Sequence, residues 1–316
     1  MVRNLFMHVG HKPADGFVLS DLHVPAPGIS GDDAKPVDLG NDVQEEWIVP
    51  RGAQEEITTP ISDVGLHRNF AKLRTADDIL QFASEWGYLG VSTLLHRPDL
   101  PGSVVPGEQL HRWRKEIRDM HALVALQDML RGRDLAELSR FVIWREGGVY
   151  MEYFVIERDD GLALDERAPW EDVLASGDSV SEGGKARLVG GNLAEIASRT
   201  REPETFARLD PLDPLGATGI YLSREVNRRL RMRASPQVLP IRGGEWRLVL
   251  PTLRDLMWLQ FMWELTPGSG ITYCLYCGKQ IEGGSQARQY CGNTCRGSAK
   301  RDRDRAAAAY QLIVDS

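Results

Sequence analysis

Cys274-Leu275-Tyr276-Cys277, then thirteen residues, then Cys291-Gly292-Asn293-Thr294-Cys295, is the stretch from which the rest of the chain is best read. The 316-residue sequence has four cysteines, and all of them fall here. Each close pair supplies two thiolates from one local turn, and the loop between them lets the pairs converge on one ion. Gly278 follows the second Cys, where a tight knuckle favours a residue without Cβ, and Gly283 and Gly284 suit a chain reversal in the loop. Cys291 and Cys295 are four apart and share a face if a helix starts here. The positive end of that helix would favour thiolates. The ligand type, count and spacing fit Zn2+ best, held by Cys274, Cys277, Cys291 and Cys295. Disulfides are the second reading, disfavoured because nothing marks the chain as secreted. An iron–sulfur cluster is the third, and its usual spacings differ. Four protein ligands and no open position describe a structural site.

The residues after the last Cys form the second signal. Arg296 to Tyr310 is a strong helix former apart from Gly297. At 100° per residue, Arg296, Lys300 and Arg303 share one face, and Arg301 and Arg305 another. From residue 271 onward the net charge is +3, whereas the remainder of the chain carries −10. Basic charge is therefore concentrated beside the cysteines of an otherwise acidic protein.

A CxxCG knuckle, a Tyr-Cys-xxx-Cys-Arg and a basic helix together resemble the short treble-clef zinc finger that closes many bacterial proteins. Some of these, such as the CGNR-type fingers that follow an ABATE domain, are regarded as stress-linked transcription regulators. The resemblance implies Cys274, Cys277, Cys291 and Cys295 as ligands. It also implies Arg296, Lys300, Arg301, Arg303 and Arg305 as a nucleic-acid-binding helix. It covers about forty residues and is more specific for metal than for DNA. Two details differ from the pattern: Gly292-Asn293 lies between the last two Cys, and Asp302 and Asp304 interrupt the arginines. A fainter likeness to the same proteins runs from Asn69 to Gly90 and implies no chemistry.

Length allows one large or two modest domains, and 42% apolar with 26% charged residues is ordinary for a globular protein. No signal peptide is legible in residues 1–16, and the most apolar stretch, Leu253 to Leu265, contains Arg254, Asp255 and Glu264. A cytoplasmic location is expected. Residues 1–65 carry eleven acidic and four basic groups among scattered Pro and Gly, and read as an irregular acidic arm with a strand near Glu46–Val49. His8, His11 and His23 match no ligand spacing and read as solvated.

Residues 66–270 read as an α+β body, mostly helical with short strands or hairpins. Thr75 caps a helix closed by Gly87. Leu110, Trp113, Ile117, Met120 and Val124 form the clearest helical stripe, with Arg112, Arg114, Lys115 and Arg118 on its solvated side. A helix over Leu135–Val142 is followed by a strand over Val149–Ile156. Gly183-Gly184-Lys185 fails as a phosphate loop, because Ser179 and Ala186 stand where Gly and Ser/Thr belong. A helix over Leu222–Arg233 carries five arginines, expected to pair with the protein's own carboxylates. A hairpin around Gly243-Gly244 leads to a helix started by Pro251, apolar nearly all round and expected in the core. Residues 271–316 complete the chain as the treble-clef-like, four-cysteine zinc finger.

No catalytic motif is present: no HExxH, no G-x-S-x-G, no dinucleotide fingerprint. Two function classes follow. One is a DNA-binding transcription regulator using the finger and basic helix. The other is a zinc-stapled protein–protein interaction module, favoured by the interrupting Asp302 and Asp304.

Overall fold

The computed structural model describes residues 6–21, 46–51, 54–60, 65–90, 93–96, 104–158, 161–165, 186–231, 235–238, 246–266, 273–277, 281 and 289–301. The chain opens with strands β1 (Phe6–Pro13), β2 (Phe17–Asp21), β3 (Glu46–Pro50) and β4 (Gln54–Pro60). Helices α1 (Leu66–Phe70) and α2 (Ala76–Trp86), strands β5 (Thr93–His96) and β6 (Val104–Gln109), and helix α3 (Leu110–Gly132) follow. Next come α4 (Leu135–Phe141), β7 (Val142–Arg145), β8 (Gly148–Arg158), β9 (Gly161–Asp165) and β10 (Ala186–Ser198). Helices α5 (Pro203–Ala207) and α6 (Pro214–Leu230), strands β11 (Ser235–Val238) and β12 (Trp246–Leu250), and helix α7 (Leu253–Leu265) precede a last helix, α8, at residues 293–301. The α+β class holds, but the body is richer in strands than a mostly helical reading allows.

The chain divides into two compact units. The first comprises residues 1–62, 73–117 and 232–256; the second comprises 63–72, 118–231 and 257–316. This differs from the arm, body and finger expected in sequence order. Over its described residues the arm is not irregular: β1 to β4 are all paired strands of the first unit, and β3 is the strand expected near Glu46–Val49. Their short alternations carry little local signal because their partners are remote. Phe6 lies opposite Leu248 in a parallel pair, and parallel pairing requires a long crossover.

The first unit holds two four-stranded sheets, ordered β11-β12-β1-β4 and β2-β3-β6-β5. Apart from β1 with β12, all these pairs are antiparallel. Trp47 and Ile48 are both buried, as are Ile79, Phe82 and Ala83 of α2 and Leu110, Trp113 and Ile117 of α3. Phe17 meets Tyr88 edge-on at 4.8 Å, and Phe82 meets Trp113 at 6.4 Å. Helix α2 begins in a capping box, with Thr75 Oγ1 accepting from Asp78 N and Asp78 accepting from Thr75 N. It ends at Gly87, φ 89°. Glu108 is fully buried, and its carboxylate accepts from Leu89 N, Gly90 N and Trp113 Nε1 at 2.7–2.8 Å. Three donors replace the water that a buried charge loses.

The second unit is built on an antiparallel sheet ordered β10-β8-β7, with β9 also on β8. Gly147, φ 83°, makes the two-residue turn between β7 and β8. Helices α4 and α6 pack on the sheet, burying Leu138, Phe141, Tyr221, Leu222 and Val226 with Val149, Met151 and Tyr153. Helix α6 starts well before the expected Leu222, because Asp213 caps it and Pro214 occupies its first position. Three of the five arginines take the protein's own carboxylates. Arg224 bonds Glu202 and the Ile196 carbonyl, Arg228 bonds Glu225, and Arg229 bonds Asp119 while lying 4.3 Å over the Trp258 ring. Helix α7 is buried along most of its length, as its composition predicts, though it starts at Leu253 and not at Pro251, with Thr252 Oγ1 accepting from Asp255 N. Arg233, Pro240, Gly243 and Gly244, His23 and Gly183 to Lys185 lie outside the described residues.

Candidate metal centre

The segment 275–277 is a turn, and Leu275 N donates to the Gln289 carbonyl at 2.9 Å. That bond joins the two Cys pairs through their backbones. Helix α8 then begins between Cys291 and Cys295, with Arg296 N donating to Gly292 O at 3.1 Å. Cys295 therefore sits in its first turn, as the four-residue spacing requires.

All four sulfurs lie within 4.8 Å of one another. Cys277 Sγ is 3.7 Å from Cys291 Sγ, which is 3.4 Å from Cys295 Sγ. A tetrahedral ion with bonds of about 2.3 Å places its sulfurs roughly 3.8 Å apart, so the thiols stand at ligand spacing. None is in a disulfide, and Cys274 is buried. Four close cysteines at the C-terminal end can thus hold a metal ion, and the donor set is all sulfur. No other such cluster occurs among the described residues.

Their electrostatics agree with that geometry. Burial raises the Cys274 thiol, but the backbone N–H groups of Cys277, Cys291 and Tyr276 outweigh it and bring it down to about 6. The Cys295 thiol is pushed up to about 12, chiefly by its hydrogen bond with Cys291. One thiolate forms readily while a neighbour is held as the thiol, chiefly by its hydrogen bond with Cys291 and only last by the charge of Cys274. A bound cation removes that conflict.

Beneath the first pair lies a buried charge cluster that the sequence reading did not assign. His67 Nε2 and Arg68 Nε both contact Glu264 Oε2 at 2.9 Å. His67 Nδ1 is 3.4 Å from Gln260 Oε1, and Arg68 Nη1 donates to Asp128 Oδ2 at 3.0 Å. The Arg68 guanidinium also lies 5.0 Å over the Tyr273 ring. Burial raises the Glu264 carboxyl, but His67 and Arg68 outweigh that effect and hold it at about 2. Arg131 Nη1 reaches Glu264 Oε1 at 3.2 Å, and its Nη2 donates to the Tyr273 carbonyl at 2.9 Å. The legible signal is Glu264 itself, a carboxylate near the end of a mostly apolar helix that also carries Arg254 and Asp255.

On α8, Arg296, Lys300 and Arg301 are exposed, and Arg301 Nη2 donates to Ser298 Oγ at 2.9 Å. Tyr276 is also exposed on the first turn. Arg303 and Arg305 lie outside the described residues, as do Gly278, Gly283 and Gly284. No helix among the described residues is long and apolar enough to cross a membrane. Compared with protein-family models, curated proteins and solved structures, the chain matches none.

Proposed function

We propose that this chain is a cytoplasmic zinc protein that regulates transcription by binding DNA through a treble-clef-like C-terminal finger. Zn2+ is the ion that best suits four thiolates at tetrahedral spacing. The observation that carries the DNA reading is the placement of Arg296, Lys300 and Arg301. They are exposed on a helix whose first turn contains a candidate metal ligand. A metal-fixed helix start holds the cations in place, so less entropy is lost when they meet phosphate. The concentration of +3 beside the cysteines of an acidic chain points the same way. Purified protein should contain about one zinc per chain and shift duplex DNA at low salt, and Cys291→Ser should lose both properties. Zinc without any nucleic-acid binding would leave the second reading, a zinc-stapled protein–protein interaction module. Asp302 and Asp304 among the arginines favour that reading.

A further inference from the structure

We infer that Arg131, remote from the cysteines in sequence, is the positioning residue that holds the two halves of the metal site together. Arg131 lies at the C-terminal end of α3 and touches both halves of the site. Its side chain donates to the carbonyl of Tyr273, the residue before Cys274. Its own backbone carbonyl accepts from Gln289 Nε2 at 3.0 Å, two residues before Cys291. The Gln289 carbonyl in turn accepts from Leu275 N, which closes a ring through both Cys pairs. One residue of a regular helix thus holds two chain segments that are apart in sequence.

The guanidinium is itself fixed. Glu264 accepts from Arg131 Nη1 and is buried with His67 and Arg68 around it. The Arg131 side chain is 16% exposed and the Glu264 side chain 1%. An arginine anchored at one end by a buried carboxylate gives the Tyr273 carbonyl a preformed donor. Partners beyond the ligands commonly govern metal affinity in this way, by holding ligands in the geometry the ion needs. Holding two segments together lowers the ordering cost that binding must otherwise meet.

The inference rests on the metal reading, and the experiment separates the two. Reduced, metal-free full-length protein is titrated with Co2+, whose visible bands report tetrahedral thiolate ligation. Zinc affinity is then measured by competition with a chromophoric chelator. The unaltered chain should take up one equivalent of cobalt. Arg131→Met should weaken zinc binding by about 10- to 100-fold. Arg131→Lys can reach only one of the two acceptors and should recover part of that loss. Gln289→Ala leaves the Arg131–Glu264 pair in place and should weaken binding in the same direction, which covers the case in which Arg131→Met does not fold. Unchanged affinity in Gln289→Ala and in any folded Arg131 variant overturns the inference while leaving the metal site standing. A chain that takes up no cobalt overturns both.

Discussion

Arg68 and Glu264 form a buried ion pair: Arg68 Nε donates to Glu264 Oε2 at 2.9 Å, with side chains 4% and 1% exposed. A charge removed from water this completely is stable only while its partner stays. Glu264→Leu therefore leaves Arg68 and Arg131 facing an apolar side chain, at an expected cost of about 3–5 kcal/mol. Arg68→Met should cost a similar amount. The double variant should lose clearly less than the two single losses combined, since neither member of the Arg68–Glu264 pair is left facing an apolar partner, although Arg131 and Asp128 each still lose one contact. Urea unfolding of the four proteins checks this, and simple additivity contradicts it.

The same carboxylate predicts how the second unit responds to acid. Glu264 is held at about 2, against an ordinary value of 4.5. Because the folded-state value is the lower one, its stabilisation is fully present above about pH 4.5. It is lost as pH falls through the window down to about 2. The loss is on the order of 3 kcal/mol. Glu264→Gln should flatten the stability curve in that window while lowering stability at neutral pH. A variant curve parallel to that of the unaltered chain between those values would contradict the assignment.

In the first unit, Glu108 plays a different part. Its carboxylate satisfies three N–H donors and so ties the Tyr88–Gly90 turn to the start of α3. Glu108→Ala strands those donors in the core, each worth about 1–3 kcal/mol. Trp113→Phe removes one donor and keeps most of the packing, and should cost much less. Calorimetry of both variants tests the ranking; equal losses would mean that the hydrogen bonds matter little.

Two glycines with positive φ separate strain from space. Gly90, φ 99°, has Thr252 Cβ only 2.2 Å from where its own Cβ would stand. Gly147, φ 83°, has nothing within 4 Å. Gly147→Ala should cost only the left-handed backbone term, about 1–2 kcal/mol. Gly90→Ala adds a clash with the residue that caps α7 and should cost roughly 1–3 kcal/mol more. Thermal unfolding of the pair checks the order.

The parts legible in the sequence are those written in local patterns. Thr75 as a helix cap, the Leu110–Val124 stripe and the two close pairs of cysteines each depend on residues a few positions apart. Strands β1, β2 and β4 escape such a reading because β1 finds β12 and β4 across long separations, whereas β3 is legible as Glu46–Val49 and only its partner β6 is not. Arg131 escapes it for the same reason. On α3 it is one more cation among several, and only tertiary structure brings it to Tyr273 and Gln289. The expected finger boundary near residue 270 cuts through the second unit, because the buried Tyr273 and Cys274 pack with it.

The salt dependence of DNA binding tests the role of α8 most directly. The zinc-loaded chain is titrated onto random duplex DNA over a range of salt concentrations, alongside the variant Arg296→Gln/Lys300→Gln/Arg301→Gln. Three phosphates neutralised by these cations correspond to a log–log slope of about −3. The variant, with its cysteines untouched, should bind far more weakly and with a clearly shallower slope, since only Arg303 and Arg305 of the basic run remain. No binding at low salt, or the same slope in both proteins, would show that α8 is not the contact surface.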